Sequence, residues 1–322
     1  MGAVMFCMLG QRSRKFSSRL KAVEMEGNGN RRATCTLEAI GARFELGIAH
    51  LHANSQAHAT SQARGMWEPE RESIEHQAQR VTYCIGVLLD EGLIFASDSR
   101  TNAGMDSVAK FCKMTVFERP GNRVVVLLSS GNLAGTQAVI SILRQRCADG
   151  ESATNILGAR TMFDVVTLVS DAMRDVENRD SDYLEANDIR FNASFIVGGQ
   201  IDGEPMRLFR TYAEGNFIEA GTDTNFLQTG ETKYGKPILD RVLTQHTPLA
   251  DATKCVLVSF DSTMRSNLSV GMPIDLVCYE RDSLEVRFRR RFDTGDPYFT
   301  ALSNDWSEGT RQVFRELPEL SW

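Results

Sequence analysis

From Val81 onward the apolar positions fall into short β-rich runs separated by turn residues. Residues 82–89 (Thr-Tyr-Cys-Ile-Gly-Val-Leu-Leu) read as a strand, Asp90-Glu91-Gly92 as a turn and 93–98 as a second strand, which makes a hairpin. Residues 113–118 and 124–130 form another strand pair around the turn Arg119-Pro120-Gly121-Asn122. The period then changes. Gly131 is expected to open a helix with Ala134, Val139, Ile142 and Leu143 on its apolar face, ended by Asp149-Gly150. Across 162–178, Met162, Val165, Val166, Val169, Met173 and Val176 recur three and four apart, as on a longer helix.

Strands return at 193–198, 206–212 and 217–220, a helix pair follows at 235–246 and 249–264, and a hairpin at 274–280 and 284–290 turns around Arg281-Asp282. The tail, 303–317, is weakly helical. Strand runs followed by helix runs argue against βαβ alternation. Two antiparallel sheets packed face to face, with a helix pair on each outer side, would bury all these apolar faces. The expected fold class is therefore α+β, a four-layer αββα sandwich of one domain over 82–322.

Composition changes at the same point. Residues 1–80 carry 11 Lys and Arg against 8 Glu, with no Asp and no Tyr, whereas 81–322 has a net charge of −9. The first 81 residues show no sustained period. Four of the five histidines lie there (His50, His52, His58 and His76), but they have no partner Cys or Asp at ligand spacing. A disordered leader or a non-native extension is the preferred reading of 1–81. The whole chain of 322 residues has a net charge of −6, which argues against a general nucleic-acid binder. No apolar run reaches the ~18 residues of a membrane span. The seven cysteines are scattered without a C-x-x-C pair, as expected of free thiols in a reducing cytoplasm. The basic run follows the apolar N-terminus, which reverses the order of a secretory signal.

Three polar positions stand out in the first strands. Thr82 opens the domain, Asp98 ends the second strand, and Lys113 opens the third. A hairpin can bring Thr82 and Asp98 side by side, and a buried Lys beside an Asp would keep its charge and tune a nearby nucleophile. Taken singly, each has a plain structural reading: a β-branched strand residue, a turn carboxylate and a solvated edge.

The local strings add to this. Thr82-x-x-x-Gly86, the turn Asp90-Glu91-Gly92, Ala96-Ser97-Asp98-Ser99-Arg100-Thr101-x-x-Gly104, Lys113 and Ser129-Ser130-Gly131 before a helix resemble proteasome β-subunits, which are N-terminal nucleophile hydrolases with an αββα sandwich. The likeness is closer still to the bacterial ancestral β-subunit (Anbu) family, in Thr82-Tyr83-Cys84-Ile85-Gly86, Phe95-Ala96-Ser97-Asp98-Ser99-Arg100-Thr101-Asn102-Ala103-Gly104, Val116-Phe117-Glu118-Arg119-Pro120-Gly121, Gly230-Glu231-Thr232-Lys233-Tyr234-Gly235-Lys236-Pro237-Ile238 and the stretch 261–271. It runs from Thr82 to about Arg290.

The resemblance implies a role for each matching residue. Thr82 would be the nucleophile, with its own free α-amine as base. Lys113 would tune that nucleophile and Asp98 would pair with the lysine. Gly131 would offer its backbone N–H as the oxyanion hole. Thr229 falls where proteasomes carry a site Ser, and Ser269 resembles the second Ser near the nucleophile. Three residues before it, where proteasomes have Asp, stands Ser266, and Asp261 is nearby but out of line.

The mechanism requires Thr82 to be the first residue, because an amide nitrogen cannot serve as a base. Self-cleaving precursors carry Gly before the nucleophile, and here the residue is Val81. In the Anbu family the Thr follows the initiator Met. Translation starting at Val81 is therefore the expectation, with a leader cut before Thr82 as its rival.

The expected activity is a threonine-type peptidase that cleaves peptide bonds through an acyl-enzyme, in the cytoplasm, as a homo-oligomer. It would need no cofactor or metal. Its partners would be a peptide or protein substrate and a separate unfoldase, since no G-x-x-x-x-G-K-[ST] loop occurs, and neither nucleic acid nor membrane. An amidase on small amides and a non-catalytic assembly subunit are the alternatives. His246 reads as a helix-end cap, 287–291 as a solvated or subunit-contact face, and 233–236 as a helix opening.

Overall fold

The computed structural model describes residues 82–102, 108–149, 154–187 and 191–322, so the expected leader at 1–81 lies outside the described residues. Ten of the strands form two five-stranded antiparallel sheets. The first has the order β10-β1-β2-β11-β12, from Phe226–Gly230, Tyr83–Leu88, Gly92–Asp98, Ile274–Glu280 and Phe288–Phe292. The second has the order β5-β6-β7-β8-β9, from Met114–Arg119, Arg123–Gly131, Ala193–Ile201, Arg207–Thr211 and Phe217–Glu219. A small ribbon, β3 (Arg100–Asn102) with β4 (Val108–Lys110), leaves the end of β2.

Strand alternation explains the layers. On β1, Cys84 packs between the sheets with Phe95, Val126 and Leu208, while its neighbours Tyr83 and Ile85 face outward under helices. The helices α1 (Leu133–Ala148) and α2 (Met162–Glu185) cover the outer face of the second sheet, where Val165, Val169 and Met173 meet Phe195 and Phe209. The helices α3 (Lys236–Val242), α4 (Leu249–Ser266) and α5 (Pro297–Arg315) cover the first, with Leu239, Phe260 and Phe299 in its core. The result is the expected αββα sandwich, with three helices rather than two on one side.

Several boundaries differ from the sequence reading. Gly131 does not open a helix: it is the last residue of β6, and Asn132 caps α1 by accepting from the Gly135 N–H at 3.0 Å. The hairpin's first strand, 274–280, is as expected, but its second starts four residues later than the predicted 284 and ends two later, with Ile274 paired to Phe292 and Cys278 to Phe288. The tail helix starts earlier than expected, since Asp296 caps it with Pro297 in the first turn. The helix predicted at 235–246 is only the seven residues of α3. Strand β10 has no counterpart in the sequence reading, yet it is the partner of β1 on the side away from β2. Its alternation is masked by Gln228 and Thr229, which are buried for polar reasons.

Candidate active site

The interior of the sandwich is apolar over most of its length and turns polar at one end. Residues two apart share a strand face, so each strand can be followed outward from the core. On β1 Cys84 is succeeded by Thr82, and on β6 Leu128 by Ser130. Ile196 of β7 gives way to Ser194, Leu208 of β8 to Arg210, and Leu227 of β10 to Thr229. These five polar residues line one cleft of about 460 Å³, with Gly131 and Gly230 also in its wall.

Thr82 is held by its backbone. Its carbonyl accepts the Glu231 N–H at 2.7 Å. Gly230 makes this approach possible: it has φ +83°, and a Cβ there would lie 1.8 Å from the Thr82 oxygen. On the other side, the Tyr83 N–H donates to Asp98 Oδ1 at 3.0 Å, so the residue after Thr82 is tied to the end of β2. The Tyr83 hydroxyl is anchored as well, accepting from Gln228 Nε2 at 2.7 Å and lying 3.0 Å from Ser259 Oγ.

Lys113 reaches from the second sheet to the first. Its Nζ donates to Asp98 Oδ1 at 2.8 Å and to the Arg100 carbonyl at 2.5 Å. Burial pushes the Asp98 carboxyl above its ordinary range, and the Lys113 charge and the Tyr83 N–H pull it back. The Cys84 thiol, behind Thr82, is raised by burial and stays protonated, donating to the Ser129 carbonyl at 3.6 Å.

Gly131 sits opposite Ala193 at the end of the β6–β7 ladder, with φ +100°. The Asn132 N–H points to β7, where it meets the Asn192 carbonyl at 2.5 Å, and the Ser129 N–H points to the opposite side, onto the Lys113 carbonyl at 2.9 Å. Alternation puts the Gly131 N–H on that same side as Ser129, beyond the start of β5. A Cβ at Gly131 would fall 2.0 Å from the Asn192 oxygen.

Thr229 joins the cleft through its hydroxyl, 2.7 Å from Ser130 Oγ and donating to Ser194 Oγ at 3.2 Å. The other predicted residues lie elsewhere. Ser269 is half-buried in the loop after α4, and Ser266 is exposed at the helix end; neither lines the cleft. That loop touches the site indirectly, because Asn267 Nδ2 donates to Glu231 Oε2 at 2.9 Å. Asp261 accepts from Arg265 and from Ser303 of α5, on the outer helical side. Sequence reasoning missed Arg210, Tyr212 and Ser194 as cleft residues. Their only signal is a polar residue continuing an apolar strand face.

The chain was compared with known proteins. Neither the family models nor the curated proteins gave a match. Solved structures did. Anbu (ancestral β-subunit) from Yersinia bercovieri is 47% identical, with 74% of this chain and 99% of that chain covered and a TM-score of 0.70. Anbu from Hyphomicrobium sp. strain MC1 is 49% identical over 75% of this chain and 100% of that one, with a TM-score of 0.68. The Anbu complex from Pseudomonas aeruginosa, solved as a helical assembly, is 49% identical over 74% of this chain and 98% of that one, with a TM-score of 0.71.

Proposed function

The chain belongs to the Anbu family of ancestral β-subunits, and on that premise we propose that it is a threonine-type peptidase whose nucleophile is Thr82. The observation that carries this reading is the buried Lys113–Asp98 pair, which is bonded to the amide that follows Thr82. In the active form Thr82 is the first residue. Its α-amine then titrates near pH ~8, close enough to neutrality to accept a proton at working pH.

The chemistry runs in two halves. Thr82 Oγ1 attacks the scissile carbonyl carbon while its proton passes to the α-amine. The Gly131 N–H donates to the oxyanion, with Lys113 as a fixed positive charge beside the developing negative one. Collapse breaks the C–N bond, and the leaving amine takes the proton back. Water then attacks the ester carbonyl, again deprotonated by the α-amine, and releases the acid and free Thr82. The hydroxyl chain of Thr229, Ser130 and Ser194 supplies polar surface around the reacting groups.

Residues 82–322 are the working unit in this reading, and they make up the same share of the chain that the Anbu structures match. The P. aeruginosa relative forms a helical assembly, and this chain is proposed to assemble with copies of itself. Among the described residues no helix is long and apolar enough to cross a membrane; the proposed location is the cytoplasm, with a separate unfoldase supplying protein substrates.

The test is N-terminal sequencing of the protein purified from its natural host, together with assay of that protein and its Thr82→Ala variant on peptides and on small amides. A chain starting at Thr82 that hydrolyses peptides, with activity lost in the variant, is the expected result. A mature chain that retains Val81, or hydrolysis that survives Thr82→Ala, overturns the reading.

A further inference from the structure

Arg210 is the one cation among the cleft-lining residues. It stands on β8 two positions beyond Leu208, which is fully buried in the inter-sheet core, so it continues a core row into the open end of the sandwich. The other arginine of the strand makes a contrast. Arg207 faces away and forms a two-pronged pair with Glu219, at 2.7 Å for both bonds. Arg210 makes no ion pair among the described residues. Its guanidinium carbon lies 4.9 Å from the centre of the Tyr212 ring, which fixes the plane of the fork. Its Nε is buried and has no acceptor.

A buried N–H without an acceptor is costly unless something else completes it. The cleft offers this cation mainly hydroxyls: Thr82, Ser130, Ser194 and Thr229. One carboxylate, Glu214, is in the wall, but it is exposed in the turn after β8. Arg210 and Thr232 also line an adjoining cavity of about 400 Å³. Of the charges there, Lys236 and Asp240 pair with each other at 2.7 Å, and Asp223 is exposed. Arg210 therefore stands between two neighbouring spaces with its fork free of any ion pair among the described residues.

We propose that Arg210 is the specificity-determining residue of the cleft and selects peptides that present a carboxylate, which accepts from its guanidinium. The inference rests on Thr82 being the nucleophile only in taking the cleft as the substrate site. A planar guanidinium suits a carboxylate because it can donate two parallel bonds, which a neutral amide cannot accept in the same way. The carboxylate could come from an acidic side chain or from the free C-terminus of a short product.

The experiment is titration calorimetry of the protein against three short peptides. One carries Glu and an amidated C-terminus, one carries Gln and an amidated C-terminus, and one carries Gln and a free C-terminal carboxylate. The wild type is expected to bind at least one carboxylate peptide roughly tenfold or more tighter than the Gln amide, the scale of a charge-assisted bond. Which of the two it prefers identifies the source. Arg210→Gln should abolish the preference, and Arg210→Lys should keep part of it. Equal binding of all three peptides by the wild type, no binding of any, or a preference that survives Arg210→Gln overturns the proposal. A covalent probe for N-terminal Thr separates the two readings: failure to label Thr82 sinks the nucleophile assignment and leaves the binding result standing.

Discussion

Lys113 Nζ lies 2.8 Å from Asp98 Oδ1, and this pair joins the two sheets of the sandwich at their polar end. The side chains are 6% and 0% exposed, so neither charge has water as an alternative partner. The same Asp98 oxygen accepts the N–H of Tyr83, so the pair sets the position of the residue following Thr82. It is thus both a structural clasp and the electrostatic setting of the proposed nucleophile.

Removing one partner should be expensive. Lys113→Ala leaves a buried carboxylate uncompensated, and its expected cost is about 3–5 kcal/mol. Replacing both residues by apolar ones of similar volume should cost less than the single change. Urea denaturation of wild type, Lys113→Ala and the Asp98→Leu/Lys113→Met double variant measures this. A loss below 1 kcal/mol for Lys113→Ala would mean that water enters the pair freely.

Gly131→Ala tests the backbone at the cleft. The position has φ +100°, and the added Cβ would meet the Asn192 carbonyl oxygen at 2.0 Å. The strain should cost about 2 kcal/mol. It should also turn the amide proposed to bind the oxyanion, so turnover should fall by a larger factor than the population of folded protein. Circular dichroism and peptide hydrolysis on the same sample separate the two effects.

The capping carboxylate of α5 gives a pH dependence. Asp296 accepts the Phe299 N–H at 3.0 Å and is held below the usual carboxylate range by that bond, with Arg290 adding to it. A depressed native value means that the stabilisation is present above the unfolded value near ~4 and is lost as pH falls through the native value. Unfolding followed by Trp306 fluorescence should therefore show wild type losing its advantage over Asp296→Asn as pH drops below that point. Parallel curves for the two proteins down to strong acid would show that the cap does not titrate.

The thiols should divide by burial. Burial pushes the Cys255 thiol up to about 11, and it also raises Cys278 and Cys84. Alkylation with iodoacetamide at neutral pH, read by peptide mass mapping, should modify the exposed Cys112 before any of these three. Early modification of Cys84 would show that the ground behind Thr82 opens in solution.

Much of this molecule is legible in its sequence, for physical reasons that differ by region. The β1–β2 hairpin shows as two continuous apolar runs around a turn because both faces of each strand are buried, and α2 shows a three-to-four period because it buries one face against the second sheet. Thr82, Asp98 and Lys113 could be singled out because each is a polar residue at a strand end. β10 was illegible because Gln228 and Thr229 are buried by hydrogen bonds rather than by apolar packing. Gly131 was misplaced on a helix because nothing in the local string marks its positive φ as a strand ending. Arg210 has meaning only after strand β8 is seen to carry a core row into the cleft.

The central claim is that Thr82 is a nucleophile once it is the first residue. A peptide epoxyketone tests it directly, because closing the adduct ring requires both the Thr hydroxyl and a free α-amine. Intact-mass and peptide mapping should find one adduct per chain on Thr82 in protein beginning at Thr82. Thr82→Ala, and protein retaining Val81, should carry none. Equal labelling of the Thr82→Ala variant, or no labelling of a chain that begins at Thr82, would contradict the account.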